Sequence, residues 1–177
     1  MEESVIRQCG QELYQALRSA QSIAPLTERY PEMTIDDAYH VSLHLNELRC
    51  NDGEKIIGKK IGVTSQAVMD MLKVDQPDFG FLTDKMVYSE GEAIPVSDTM
   101  ILPRAEGEIA FVLKRDLIGP GVTAADVLAA TDFVMPAIEI VDSRIQDWKI
   151  KIQDTVADNA SCGCLLYTSP SPRDLST

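Results

Sequence analysis

The fold is decided by a strand-like stretch that carries two glutamates, Arg104-Ala105-Glu106-Gly107-Glu108-Ile109-Ala110-Phe111. Successive side chains of a β-strand point to opposite faces, so Glu106 and Glu108 project from the same face. Two neighbouring carboxylates repel each other unless a cation lies between them. The sequence therefore predicts a strand over 106–113 with an acidic face.

A third glutamate lies where a charge is costly. Glu139 interrupts the apolar run Val134–Val141, which is typical of a strand buried on both faces. A carboxylate in such a strand is unfavourable unless it is paired or binds a metal. Convergence of Glu106, Glu108 and Glu139 on one cation would explain all three, and oxygen ligands favour Mg²⁺ or Mn²⁺ over zinc. The alternative is that Glu106 and Glu108 lie on a solvated strand face without a metal. The chain has 28 acidic residues, so two glutamates at this spacing often occur by chance.

The rest of the chain predicts an α+β domain in which N-terminal helices precede a mixed β-sheet. Thr34 and Asp37 have the spacing of a capping box at the start of the second long helix. The expected helices span about 3–22, 34–52, 65–72 and 123–130, the expected strands 55–63, 86–88, 93–95, 100–102, 106–113 and 134–141, and the residues 76–80 are expected to form a loop.

Composition limits the class of protein. The 177 residues carry a net charge of −12, which argues against binding to nucleic acid or to an anionic membrane face. No apolar run approaches the length of a membrane span. The first residues lack the pattern of a secretory signal, so we expect a cytoplasmic protein.

Three further polar residues are candidates for catalysis. Lys59 and Lys60 lie in an otherwise apolar predicted strand, so the alternation of side chains turns one of them inward. An inward lysine can stabilise an anion. The alternative is a lysine whose side chain extends along a sheet edge to reach water. Asp78 follows Pro77 and is either a general acid/base or a turn residue. Ser161 ends a polar segment that either caps a helix or orients a substrate.

The C-terminal end has a different composition. Residues 164–177 are rich in Ser and Pro and lack apolar periodicity, which is typical of a disordered tail. We therefore expect a domain over 1–163, followed by a tail that is disordered or foreign, as a frameshift or an assembly junction would produce.

Five blocks occur in an order that resembles one enzyme family. They are Gly58–Ser65, Gln76–Gly80, Pro103–Phe111, Glu139–Arg144 and Ala157–Ser161. Together they resemble the 2-oxopent-4-enoate hydratases (2-hydroxypenta-2,4-dienoate hydratases) of aromatic meta-cleavage pathways, which are members of the fumarylacetoacetate hydrolase-like superfamily. The resemblance extends from near the N-terminus to about Gly163.

The resemblance implies a role for each candidate residue. Glu106, Glu108 and Glu139 match the metal ligands of the family, Lys60 and Asp78 match positions assigned to catalysis, and Ser161 matches a serine near the substrate. It also implies a barrel-like mixed β-sheet core, incomplete here at the C-terminus, and a homo-oligomer. A complex with a sister decarboxylase would fit the pathway.

The implied reaction is a metal-dependent hydration of 2-hydroxypenta-2,4-dienoate to 4-hydroxy-2-oxopentanoate, which makes the enzyme a hydro-lyase. The first alternative is the sister 2-oxohex-3-enedioate decarboxylase, whose pattern at the loop of Asp78 lacks the acid. An acylpyruvate hydrolase would need a His-Glu pair that we do not find near the N-terminal helices. The third alternative is an inactive truncated fragment, with apolar sheet surface and strand edges exposed.

Overall fold

The computed structural model describes residues 1–167, without the side chains of residues 71 and 72. Seven α-helices lie in this part of the chain: α1 (Glu3–Ser19), α2 (Leu26–Arg29), α3 (Ile35–Asn51), α4 (Gln66–Leu72), α5 (Val96–Thr99), α6 (Ala124–Ala130) and α7 (Ile152–Ala157). Six strands accompany them: β1 (Ile56–Gly62), β2 (Asp78–Thr83), β3 (Val87–Ser89), β4 (Arg104–Leu113), β5 (Thr131–Val141) and β6 (Cys162–Tyr167).

Local interactions at the helix termini determine where the long helices α1 and α3 begin and end. The Thr34 hydroxyl accepts the amide of Asp37, whose carboxylate accepts the amide of Thr34, so the predicted capping box of α3 is confirmed. Helix α1 ends at Ser19, and the next residue, Ala20, has a left-handed conformation. These helices and α7 bury one apolar cluster, in which Leu13, Leu45 and Val156 are almost inaccessible to water.

The strands form two sheets. Strand β1 pairs antiparallel with β2, and the second sheet has the order β3-β6-β5-β4. In the second sheet β3 is parallel to β6, while the other neighbours are antiparallel. The fold is therefore α+β, as predicted, but within residues 1–167 the four-stranded sheet is open, not closed into a barrel.

The prediction of a loop over residues 76–80 was wrong from Asp78 onward. Asp78 begins strand β2, and Pro77 lies just before it, where its missing N–H costs no ladder bond. Gly80 lies inside the strand because another segment passes very close. A Cβ at Gly80 would lie 2.3 Å from the carbonyl oxygen of Asn159. The glycine thus marks a long-range contact, not a turn.

Two of the short predicted strands are absent from the described residues. Residues 93–95 lead into α5, and residues 100–102 form a bend. The amides of Ile101 and Leu102 donate to the buried carboxylate of Asp142, at 3.0 and 2.8 Å, instead of to a neighbouring strand. The side chain of Asp142 thus accepts the backbone hydrogen bonds that a neighbouring strand was expected to accept.

Strands β5 and β6 differ from expectation at their ends. The first half of β5 is largely exposed, and near Glu139 buried residues alternate with half-buried ones, so the prediction of burial on both faces was wrong. Residues 164–167, which the composition assigned to the tail, continue β6 and pair with β5, and Leu165 is buried between them. The rest of that predicted tail lies outside the described residues.

None of the described helices is long and apolar enough to cross a membrane.

Candidate active site

The three glutamates come together on strands β4 and β5. Glu106 lies directly opposite Glu139 in the antiparallel register, and Glu108 projects from the same face two residues along β4. One carboxylate oxygen from each residue lies within 4.8 Å of the others. In the part of the chain that the structure describes, no other group of three or more acidic, cysteine or histidine side chains meets this condition.

These carboxylates fit a hard divalent cation. Glu139 is only 3% exposed, and its Oε1 atom makes no hydrogen bond of standard geometry among the described residues, although the Nζ atom of Lys60 lies 3.4 Å away. Burial raises the pKa of the Glu139 carboxyl, an effect that Lys60 opposes and Glu106 reinforces. A cation bound between the three carboxylates would remove the repulsion and supply Glu139 with a second cationic partner beside Lys60, so the residues present suit such an ion.

Lys60 is the inward lysine of the predicted pair. Its Nζ atom lies 3.4 Å from Oε1 of Glu139 and donates a hydrogen bond of 3.1 Å to the carbonyl oxygen of Ala160. Burial pushes the Lys60 pKa down, but attraction by Glu139 and Asp78 outweighs it, so the pKa is raised. Lys59 points the other way and lies over the ring of Phe79. The inward ammonium group is thus held charged beside the carboxylates.

Asp78 lies at the start of β2, opposite Gly62 in the β1–β2 register. The side chain is buried, and neither carboxylate oxygen makes a side-chain hydrogen bond of standard geometry among the described residues. Burial raises the pKa of this carboxyl; Lys60 and the amides of Gly62 and Asp78 itself oppose that effect. A buried carboxyl with no hydrogen-bonding side chain beside it and with a raised pKa has the properties of a proton-transfer group.

Gly62 makes room for both candidate catalytic groups. A Cβ atom at this position would lie 2.4 Å from Oδ1 of Asp78 and 3.1 Å from Nζ of Lys60. The sequence alone did not single out Gly62. Its position two residues after Lys60 was the only available indication, because strand alternation places both on one face.

Ser161 lies in a turn of unusual backbone conformation. The φ angles of Asn159, Ala160 and Ser161 are 54°, 53° and 52°, so three successive residues other than glycine are left-handed. Each such residue costs roughly 1–2 kcal/mol. The Ser161 hydroxyl is buried and has no hydrogen-bond partner among the described residues. Strain and an unsatisfied hydroxyl in one turn are typical of functional sites.

A buried ion pair anchors the strands that carry the site. Nε of Arg144 donates to Oδ1 of Asp158 at 2.5 Å, and its other nitrogens donate to the carbonyl oxygens of Asp142, Asp158 and Cys162. Both side chains are at most 2% exposed. Sequence reasoning did not assign this pair, because 14 residues separate its members and no local pattern connects them.

Two curated proteins similar to this chain are dienoate hydratases. A 2-hydroxypent-2,4-dienoate hydratase of Pseudomonas putida is 60% identical over 181 residues, which cover all of this chain and 82% of the relative. A 2-hydroxyhexa-2,4-dienoate hydratase of Comamonas testosteroni is 64% identical over 94% of this chain and 65% of the relative. No protein-family model matches the chain.

A solved structure matches the fold. The 4-oxalocrotonate decarboxylase of Pseudomonas putida G7, complexed with magnesium and adipate, superimposes with a TM-score of 0.89 at 35% identity. The match covers 94% of this chain but 63% of the decarboxylase, so the chain spans less than two thirds of that protein. The family is nevertheless shown by the 60% identity to the Pseudomonas putida hydratase, because this chain covers 82% of that protein. The chain belongs to the 2-hydroxypenta-2,4-dienoate hydratase family of the fumarylacetoacetate hydrolase-like superfamily.

Proposed function

We propose that the protein is a metal-dependent hydro-lyase that converts 2-hydroxypenta-2,4-dienoate into 4-hydroxy-2-oxopentanoate in the cytoplasmic catabolism of aromatic compounds. The observation that carries the proposal is the position of the buried Asp78 carboxyl. It lies on the same side of Gly62 as the Lys60 ammonium. The Nζ atom of Lys60 in turn lies 3.4 Å from Oε1 of Glu139, a member of the carboxylate cluster. The hydratase names of two relatives at 60% and 64% identity support the proposal.

Glu106, Glu108 and Glu139 would hold the divalent cation, either Mg²⁺ or Mn²⁺. When bound, such an ion supplies a Lewis acid and a chelation site for the carboxylate and adjacent oxygen of a 2-oxo acid. The magnesium-bound decarboxylase structure supports a divalent metal as cofactor. The choice between Mg²⁺ and Mn²⁺ is open, because both prefer oxygen ligands.

The protein's own residues would then manage the protons. In its protonated form Asp78 donates a proton to C5 of the dienol while the C2 hydroxyl releases its own, which gives 2-oxopent-3-enoate. The hydroxide part of water then adds to C4 and a proton to C3, so the net change is the addition of one water molecule. The Lys60 ammonium stabilises the negative charge on the C2 oxygen, and Ser161 positions the substrate or the water.

The product decides between this reaction and decarboxylation, which the likeness to 4-oxalocrotonate decarboxylase keeps as a second candidate. The chain is incubated with the dienoate in H₂¹⁸O, and with 2-oxohex-3-enedioate separately. Hydration predicts ¹⁸O at C4 of the first product and no carbon dioxide from the second substrate. Release of carbon dioxide without hydration would replace the proposal, and inertness towards both would favour an inactive fragment.

We also propose that the protein functions as a homo-oligomer, with a sister decarboxylase as a candidate partner. The supporting observation is the apolar surface of β4 and β5, where Ile109 is 67% exposed and Phe111 53%. Strand β4 is also an edge of its sheet. Exposed apolar surface and a free edge favour association. Light scattering of the purified chain tests this, and a monomer at all concentrations would contradict it.

A further inference from the structure

The left-handed turn of Asn159, Ala160 and Ser161 needs an external restraint. L-amino acids avoid this conformation, and three consecutive positive φ angles without glycine do not persist on local preference alone. Three backbone hydrogen bonds also hold the turn: the amide of Ser161 donates to the carbonyl oxygen of Asp158, the amide of Cys162 to that of Asn159, and the amide of Asp142 to that of Ser161. The side chain of Asn159 adds a restraint that fixes the turn to strand β2.

The Asn159 carboxamide is held at both ends. Its Nδ2 group donates to the carbonyl oxygen of Phe81 at 2.9 Å, and its Oδ1 atom accepts the amide of Phe81 at 2.8 Å. The Nδ2 group of Asn46 on α3 donates to the same Oδ1 atom at 3.0 Å. The side chain is completely buried. The carboxamide therefore pairs with the backbone of Phe81 in the way that a residue of a neighbouring strand would. This pairing requires both a donor and an acceptor in the side chain.

The restrained turn contacts the candidate catalytic groups. The carbonyl oxygen of Ala160 accepts the hydrogen bond from Lys60, and the next residue is Ser161 with its unpartnered hydroxyl. The backbone of Asn159 lies so close to Gly80 that a Cβ atom there would be 2.3 Å from its carbonyl oxygen. Strand β2, to which the carboxamide is bonded, begins at Asp78.

We propose that Asn159 is a positioning residue. Its carboxamide fixes the left-handed turn to β2 and thereby holds the carbonyl oxygen of Ala160 within hydrogen-bond distance of the Lys60 ammonium. The kinetic consequence rests on the proposed hydratase function, whereas the structural consequence does not. An aspartate at this position would keep the acceptor but lose the donor, and would turn a negative oxygen towards the carbonyl of Phe81.

The test is Asn159→Asp, with Asn51→Asp as the matched control, since Asn51 is exposed at the end of α3 and the charge change is the same. Competitive acetylation, read by mass spectrometry, reports the reactivity of Lys60 relative to the exposed Lys114 in the folded chain. Loss of a hydrogen bond to a charged group should raise Lys60 reactivity at least about fivefold in Asn159→Asp. The control should match the wild type.

Kinetics supply the second readout. Asn159→Asp should lower kcat about tenfold or more while KM changes less than about threefold, because the turn orients a reacting group without holding the substrate. If Asn159→Asp does not fold, Asn46→Ala removes one donor to the same oxygen and should raise Lys60 reactivity about twofold.

Unchanged Lys60 reactivity in the folded variants would overturn the proposal. A wild-type chain without hydratase activity would refute the proposed function instead, and the acetylation ratio would still decide the role of Asn159.

Discussion

Glu106 and Glu139 face each other directly across strands β4 and β5, yet Glu139 is buried and Glu106 is exposed. The pair joins a solvent-facing carboxylate to one that also contacts Lys60. A bound ion would therefore be open to a substrate on the side of Glu106 and fixed to the protein on the side of Glu139. This asymmetry suits a metal that must chelate an incoming acid.

Glu139→Gln should weaken Mn²⁺ binding more than about 100-fold, since even the loss of a residue that only supports a metal ligand costs 10–100-fold. Isothermal titration with Mn²⁺ measures the affinity. Glu90→Gln is the control, because Glu90 is exposed and lies outside the cluster. Equal affinity in Glu139→Gln and wild type would show that the three carboxylates are not the metal site.

Asp78→Asn should make the folded protein more stable at alkaline pH. Burial raises the pKa of this carboxyl in the folded state, so wild type loses stability as pH rises from the unfolded pKa through the folded one, whereas asparagine does not titrate. The Tm of the variant should exceed that of wild type at about pH 8, and the gap should close towards about pH 4. A gap that widens at acid pH would contradict the raised pKa.

Gly62→Ala should damage the site without unfolding the chain. The added methyl group would lie 2.4 Å from Oδ1 of Asp78, so the carboxylate must move. We expect a stability loss of about 1–3 kcal/mol together with a large loss of kcat. Gly58→Ala on the same strand meets no atom closer than 3.7 Å and should leave both nearly unchanged. Equal activities of the two variants would exclude crowding of Asp78.

Arg144→Met should lower the free energy of unfolding by about 3–5 kcal/mol, because it leaves the Asp158 carboxylate buried without its partner. Urea denaturation measures the change. The exposed pair of Arg7 and Glu3 provides the control, and Arg7→Met should cost less than about 1 kcal/mol. If Arg144→Met costs no more than the control, the buried pair does not anchor the site.

Features with a local cause were predictable from the sequence. The capping box of Thr34 and Asp37 depends on residues three apart, and strand alternation alone places Glu106 and Glu108 on one face and turns one of two adjacent lysines inward, which the structure shows to be Lys60. The metal ligands came from this alternation together with the family resemblance, whereas Asp78 and Ser161 were assigned by the resemblance alone. The structure adds distances and burial to them, but their roles stay predictions.

Features with a distant cause were missed. The strand at Gly80 depends on the backbone of Asn159, and the bend at Ile101 depends on the carboxylate of Asp142. The left-handed turn contains no glycine that would predict it, and part of its restraint is the hydrogen bonding of Asn159 to the backbone of Phe81. Each of these contacts joins residues at least 40 positions apart, beyond the range of any periodicity or capping rule.

The most direct test of the central claim follows the loss of dienol absorbance in wild type and in Asp78→Asn, with Mg²⁺ and with a chelator, while Mn²⁺ binding is measured in parallel. We predict turnover by wild type with metal, none with chelator, and a rate about 10²–10⁴-fold lower in Asp78→Asn at unchanged Mn²⁺ affinity. Full activity of Asp78→Asn, or of the chelated wild type, would contradict the account.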